Sequence, residues 1–168
     1  LNIKYQAYVV NGLLGYSGNK GLINGQKFLR DARQKGAKSV MSSPNFSARV
    51  DYYGIPALKL GLSGYFGKTQ STLYNSLADN NTAGLAMADS SVMGLSMIGA
   101  DVRYTRSGLM LRGEIVYSSL SNSSAYNGIT GLDAPSSVFG WYAEASYDLG
   151  QLTDEKVKII PFIRYEHY

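Results

Sequence analysis

The chain has 168 residues and a net charge of +4, which is mild for a nucleic-acid-binding protein, so we expect no nucleic acid as a partner. It contains no cysteine, which excludes disulfides and thiolate-ligated metals. No run approaches the roughly 18 to 20 apolar residues of a membrane-spanning helix. The 14 tyrosines and 19 glycines favour an all-β fold.

Seven segments alternate apolar and polar residues along the chain. In the clearest of them, Ile98, Ala100 and Val102 fall on one face, and Asp101 and Arg103 fall on the other. This period of two predicts strands, because successive side chains of a strand point to opposite faces. The predicted strands cover 3–13, 46–52, 58–66, the two arms of 95–121 about a turn at 106–109, 138–149 and 157–168.

The connections between these strands alternate in length. Short turns at 54–57, 106–109 and 150–156 follow long loops at 15–43, 69–93 and 122–137. Outer-membrane barrels have this alternation, so we expect an antiparallel up-and-down transmembrane β-barrel in which each strand pairs with its sequence neighbour. Such barrels have an even number of strands and no open edge. About seven strands are present, so we expect residues 1–168 to be a single segment of a larger barrel.

Aromatic residues on the predicted apolar face separate into two groups by their position along the strands. One group lies near the short turns and the other near the long loops. Two belts of aromatic rings are expected where strands cross the two interfaces of a membrane. The turn-side belt comprises Tyr5, Tyr52, Tyr104 and Tyr147, and the loop-side belt comprises Phe46, Phe66, Tyr117, Phe139 and Tyr165.

The opposite face of the same strands carries charges of both signs. As the wall of a water-filled pore, these residues would set the transverse field and the ion preference. They could also pair across neighbouring strands, which would satisfy buried charge. The predicted pore-lining residues are Arg49, Asp51, Lys59, Asp101, Arg103, Arg112, Glu114, Glu144, Asp148, Arg164 and Glu166.

The first long loop is strongly basic. Folded into the mouth of a pore, it would attract anions through its summed field. Alternatively it is a solvated surface loop, or one that binds anionic lipopolysaccharide. The cations in question are Lys27, Arg30, Arg33, Lys35 and Lys38.

Two further function classes compete with a channel. His167 is the only histidine, and no recognisable catalytic or metal-binding motif accompanies it, so we expect no enzymatic activity, no metal and no cofactor. An enzyme built into an outer-membrane barrel would need a nucleophile and a base on one wall. A soluble β-barrel that binds a small ligand would place the charged face outside, and the aromatic belts and loop lengths speak against it.

Six segments resemble the phosphate-selective porin O/P-like family, most closely in its Bacteroidetes-type members. They are YQAYVVNG, FLRDARQKG, NFSARVDYYGIPALKLGLSGYFGKT, ADVRYTRSGLMLRGEIVYSSLS, GWYAEASYDLG and PFIRYEHY. The resemblance implies a homotrimeric barrel of about sixteen strands in the outer membrane of a Gram-negative bacterium. It also implies contact with the bilayer and with lipopolysaccharide, and passive uptake of small solutes, often anions such as phosphate. No phosphate-binding position of the family is assigned to a residue of this chain.

Overall fold

The computed structural model describes residues 2–78, 80–151 and 158–168. The fold is all-β, as predicted, with two short helices in the loops. In chain order the strands are β1 (Ile3–Asn11), β2 (Leu14–Ser17), β3 (Lys20–Gly21), β4 (Pro44–Ile55), β5 (Leu58–Lys68), β6 (Gln70–Ser71), β7 (Gly94–Arg106), β8 (Leu109–Ser121), β9 (Ser137–Tyr147) and β10 (Phe162–His167). The helices are α1 (Thr82–Ser90) and α2 (Ser123–Thr130).

Seven of the strands form one sheet in the order β1-β4-β5-β7-β8-β9-β10. Every neighbouring pair in this sheet is antiparallel and consecutive along the predicted meander, which confirms that prediction. The turn between β7 and β8 consists of Ser107 and Gly108, both with positive φ (48° and 82°). Two such residues are typical of a type I′ turn, whose twist matches that of the strands it joins.

The final strand is shorter than predicted. β10 begins at Phe162, and residues 158–161 lie outside it. Val157 and most of the predicted turn at 150–156 fall outside the described residues. The part of that turn that is described is a 3-10 turn at Leu149–Gln151.

The long loops contain regular structure that the alternation pattern did not predict. β2, β3 and β6 form a second sheet, and β2 pairs with β6 in parallel, so the expectation of antiparallel pairing throughout is wrong here. α1 is capped by Asn81, whose side-chain oxygen accepts a hydrogen bond from the Gly84 N–H at 2.9 Å. Asn127 and Gly128, a dipeptide typical of turns, lie inside α2 instead.

The hydrophobic core lies at the long-loop end of the sheet. Its buried residues come from the three long loops and from the ends of β7 and β8. We call residues 12–43, 69–93 and 122–136 together the loop assembly. The buried core residues are Ile23, Ala32, Met93, Leu95, Leu120, Tyr126 and Ala134.

Candidate functional site

The two faces of the seven-stranded sheet have the opposite burial from that of an ordinary soluble sheet. On β4, Val50 is 44% exposed, whereas its neighbour Asp51 is 6% exposed. On β8, Ile115 is 51% exposed, whereas Ser118 on the other face is buried. Apolar side chains therefore cover the open face, and polar side chains cover the enclosed one. We call these the apolar face and the polar face.

Aromatic residues follow a diagonal line near the long-loop end of the apolar face. The line begins at Phe46 and Phe66, which are paired across β4 and β5. The row of register-paired residues that contains Phe46 and Phe66 continues across β7 and β8 to Ser137 on β9. The last member, Tyr165, is paired instead with Ala143, six residues further along β9 than Ser137. The line is thus displaced by six residues over the five strand-to-strand steps from β4 to β10.

The tyrosines near the short turns follow a parallel line. Along its strand, each tyrosine lies two residues closer to the short turns than the row of register-paired residues that contains the previous tyrosine. Tyr147 on β9 is therefore six residues closer to the short turns than the row that contains Tyr5 on β1. Five strand-to-strand steps separate these two strands as well. With about 3.4 Å per residue and about 4.8 Å between strands, both lines are inclined by about 40° to the rows of paired residues.

The polar face carries two adjacent rows of opposite charge. The register pairs Lys59 with Arg103, and Arg103 with Arg112. Two residues further from the short turns, Asp101 is paired with Glu114. Like charges directly opposite one another are destabilising unless other groups pair with them. The basic row is Lys59, Arg103, Arg112, Glu144 and Arg164, of which Glu144 is the one carboxylate. The acidic row is Lys4, Asp51, Asp101, Glu114 and Glu166, of which Lys4 is the one cation.

Arg49 joins the acidic row across three strands. Its guanidinium lies 2.7 Å from an Asp51 oxygen and 2.7 Å from an Asp101 oxygen. Lys59 adds a third contact, 3.3 Å from Asp51. Gly61 lies between the two carboxylates in the register, and a Cβ at that position would collide with Arg49 and Asp101. The missing side chain therefore makes room for the ion pairs.

A second cluster lies on β8, β9 and β10. Glu144 is 3.6 Å from Arg112 and 3.9 Å from Arg164. Arg164 also pairs with Glu166 at 3.1 Å and lies over the Tyr142 ring at 4.0 Å. The structure thus brings most of the predicted pore-lining residues together in ion pairs within and between the strands of the sheet.

Three of the predicted residues stand apart from these clusters. Within the described residues, Arg103 and Glu114 form no ion pair. Arg103 is exposed and lies between two other cations in the basic row. Asp148 lies beyond the end of β9, where its carboxylate accepts a hydrogen bond from the Gly150 N–H at 3.0 Å.

The basic loop folds over the polar face at its long-loop end. Ile23 and Ala32 from this loop are buried against Leu95 and Leu120, which belong to the polar face. The side chain of Gln34 closes the loop, since its Nε2 donates to the carbonyl oxygens of Gly12 (2.6 Å) and Val40 (2.8 Å). The loop is thereby held against the face that carries the charges.

Exposed cations mark the outer surface of this fold. Lys27, Arg30, Arg33 and Lys35 are exposed, and Lys38 lies in a 3-10 turn at Gly36–Lys38. Lys27 pairs with Asp31 at 2.9 Å, and this hydrogen bond lowers the pKa of the Asp31 carboxyl. The Arg33 Nε–H donates to the Arg30 carbonyl oxygen at 3.1 Å.

Two buried polar residues that sequence reasoning missed organise the loop assembly. Tyr126 is fully buried and lies against the first loop. Gln70 is also fully buried, and its Oε1 accepts hydrogen bonds from the backbone N–H groups of Ser42 (2.6 Å) and Ser43 (3.1 Å). Little in the local sequence marks either residue, because most of their side-chain partners are 27 to 111 residues away.

The described residues show no other recognised chemistry. No group of His, Cys, Asp and Glu residues among them could hold a metal ion. His167, at the end of β10, is exposed and is paired in register with Trp141. No helix in the described part of the chain is long and apolar enough to cross a membrane. In comparisons with known proteins, no family model and no curated protein matches the chain.

Proposed function

We propose that this chain forms part of a transmembrane β-barrel in the outer membrane of a Gram-negative bacterium, and that the barrel is a passive diffusion channel for small hydrophilic solutes. The observation that carries the proposal is the inverted sheet, with its apolar face open and its charged face enclosed. A continuous apolar surface of this extent is costly in water. Against lipid it is the expected surface of a barrel wall.

The diagonal aromatic lines support the membrane assignment independently of the burial pattern. Strands of transmembrane barrels are tilted by about 35–45° from the barrel axis. A membrane interface would therefore cross the rows of paired residues at a similar angle. The inclination of about 40° follows from strand register and spacing alone, and both lines share it. Parallel lines of this kind are what two flat interfaces would produce.

The polar face supports a channel that prefers anions. Four cations and one carboxylate form the basic row, and Arg103 lies between Lys59 and Arg112 without a carboxylate partner among the described residues. The basic loop, folded over the same face, adds exposed cations near the long-loop end. A solute on this path would meet positive potential at these two levels, with the acidic row between them. Phosphate and other small anions are the candidate solutes, and a homotrimer is the assembly that the family resemblance favours.

Conductance across a planar lipid bilayer tests this proposal. Purified protein containing this chain should produce discrete steps of current, with a reversal potential that favours anions under a salt gradient. Arg103→Gln should shift the reversal potential toward zero without abolishing the steps. Ser63→Gln, a neutral change elsewhere on the polar face, should leave it unchanged. A protein that inserts into the bilayer and carries no current would overturn the channel assignment.

A further inference from the structure

A polar groove lies at the long-loop end of the apolar face, outside the enclosed side of the sheet. Its volume is about 810 Å³, and its floor is a single row of paired residues. In that row Lys68 is paired with Gly94, and Gly94 with Ser121. All three residues point to the apolar-face side by the alternation of their strands. The glycine leaves the middle of the floor without a side chain.

The groove walls come from the second and third long loops. Tyr74 donates its hydroxyl to an Asp89 carboxylate oxygen at 2.6 Å. Burial, together with this hydrogen bond, raises the pKa of Tyr74 to about 12, so Tyr74 keeps its proton at neutral pH. Asn122 is held by hydrogen bonds from its Nδ2 to the carbonyl oxygens of Asp89 (3.3 Å) and Val92 (2.8 Å). The walls therefore present a fixed carboxylate and a fixed amide.

The charges in the groove are separated. Lys68 is exposed, and within the described residues it forms no ion pair. Asp89 is the acidic residue of the walls, and its partner is Tyr74. Serine and threonine hydroxyls add further polar groups.

We propose that this groove binds the phosphorylated sugar head group of an outer-leaflet glycolipid. Lys68 would bind the phosphate, and Asp89 and Asn122 would accept hydrogen bonds from the sugar hydroxyls. A lysine pairs with phosphate as a point charge, and a carboxylate suits hydroxyl donors but repels phosphate. The separation of the two charges thus orients the head group with its phosphate on the floor. The inference rests on the proposed membrane orientation.

The position of the groove relative to the aromatic belt favours this occupant over a free solute. Phe66, in the loop-side belt, precedes Lys68 by two residues on β5, which is about 7 Å. Ser96 and Ser119 lie in the same row as Phe66, so the apolar surface gives way to hydroxyls at this height. A lipid whose chains lie along the apolar face would place its head group in the groove. The volume is within the range of known ligand sites.

Native mass spectrometry of the detergent-solubilised protein tests this inference, with bisphosphorylated lipid A as the probe. Wild-type protein should retain lipid A, and Lys68→Gln should weaken binding about tenfold, since one charge-assisted contact is lost. Removing the phosphates from lipid A should weaken its binding to the wild-type protein by the same factor as the Lys68→Gln substitution does. Lys20→Gln, at an exposed lysine outside the groove, is the matched control and should bind as wild type does.

Two results would overturn the inference. Equal lipid A binding by wild type and Lys68→Gln would show that the groove does not hold the phosphate. Full competition by inorganic phosphate would show a site for free anions instead of a lipid. A parallel experiment measures insertion into phosphatidylcholine vesicles. Its readout is the heat-dependent gel migration that is typical of folded barrels. Insertion without lipid A binding would leave the proposed function standing, whereas failure to insert would count against both.

Discussion

The hydroxyl of Tyr126, on α2, donates a hydrogen bond to the carbonyl oxygen of Gly15, on β2, at 2.7 Å. The Tyr126 hydroxyl oxygen in turn accepts hydrogen bonds from the backbone N–H groups of Leu22 (2.9 Å) and Ile23 (3.1 Å). One buried hydroxyl thus joins the third long loop to the first. This contact acts together with the burial of Ile23 and Ala32 to hold the basic loop over the polar face.

Removing that hydroxyl should loosen the basic loop. Tyr126→Phe leaves the buried Ile23 N–H without a partner, which costs about 1–3 kcal/mol. It also removes one hydrogen bond each from the Leu22 N–H and the Gly15 carbonyl oxygen, which stay bonded to each other at 2.9 Å. We expect the amides of Leu22 and Ile23 to exchange about 10- to 100-fold faster in hydrogen–deuterium exchange. Tyr74→Phe, which removes a hydroxyl whose partner is the exposed Asp89, is the control. Unchanged exchange at Leu22 and Ile23 in the Tyr126 variant would show that this contact does not hold the loop.

The same hydroxyl should make the loop assembly sensitive to alkali. Burial raises the pKa of Tyr126 above the ordinary tyrosine value of about 10. A raised pKa in the folded state means that the stabilisation is present below pH 10 and is lost as the pH rises through the folded-state value. We expect faster amide exchange across the loop assembly above pH 10, after correction for the intrinsic effect of pH. The Tyr126→Phe variant should lack this transition, and an identical transition in the variant would assign it to another group.

The seven-stranded sheet could be predicted from the sequence because its signal is local. Alternation along each strand and short turns such as Ser107–Gly108 are visible within a few residues. Asp101 and Arg103 could be assigned to a common face on the same basis. Their distribution between an acidic and a basic row could not, because it depends on the register with Glu114 and Arg112 on the next strand.

The loop assembly was not predictable in the same way. Its β2–β6 pairing joins segments more than 50 residues apart. α1 has a weak amphipathic pattern, and Asn127 and Gly128 favour a turn in isolation. Their inclusion in α2 reflects tertiary contacts, since Asn127 Nδ2 donates to the Ala134 carbonyl oxygen at 2.9 Å. The inward fold of the basic loop depends on Ile23 and Ala32, which are unremarkable in sequence.

A charge placed on the apolar face should destabilise the fold in lipid. Val102→Arg and Ile115→Arg place a cation on residues that are now exposed and apolar. Near the middle of a bilayer this costs about 2–4 kcal/mol. Ser63→Arg, on the polar face, should cost much less. A folding titration in lipid vesicles measures these free energies, and equal costs for the three variants would show that the faces are assigned wrongly.

The basic loop should contribute to ion preference. Replacing Arg30, Arg33 and Lys35 together with Gln should lower the permeability of anions relative to cations, measured as a reversal potential under a salt gradient. The effect should weaken with added salt, because the Debye length is already about 10 Å at 0.1 M. Lys68→Gln, on the apolar-face side, should have a smaller effect. An unchanged reversal potential in the triple variant would show that these cations lie away from the solute path.

Labelling along β7 tests the membrane orientation most directly. The chain has no cysteine, so single cysteines introduced at positions 97–104 can each carry a spin label without background. In lipid vesicles, labels at 98, 100 and 102 should be accessible to oxygen, which partitions into lipid, and labels at 101 and 103 to a water-soluble nickel complex. We predict this alternation with a period of two. Access of the nickel complex to both sets of positions would contradict it.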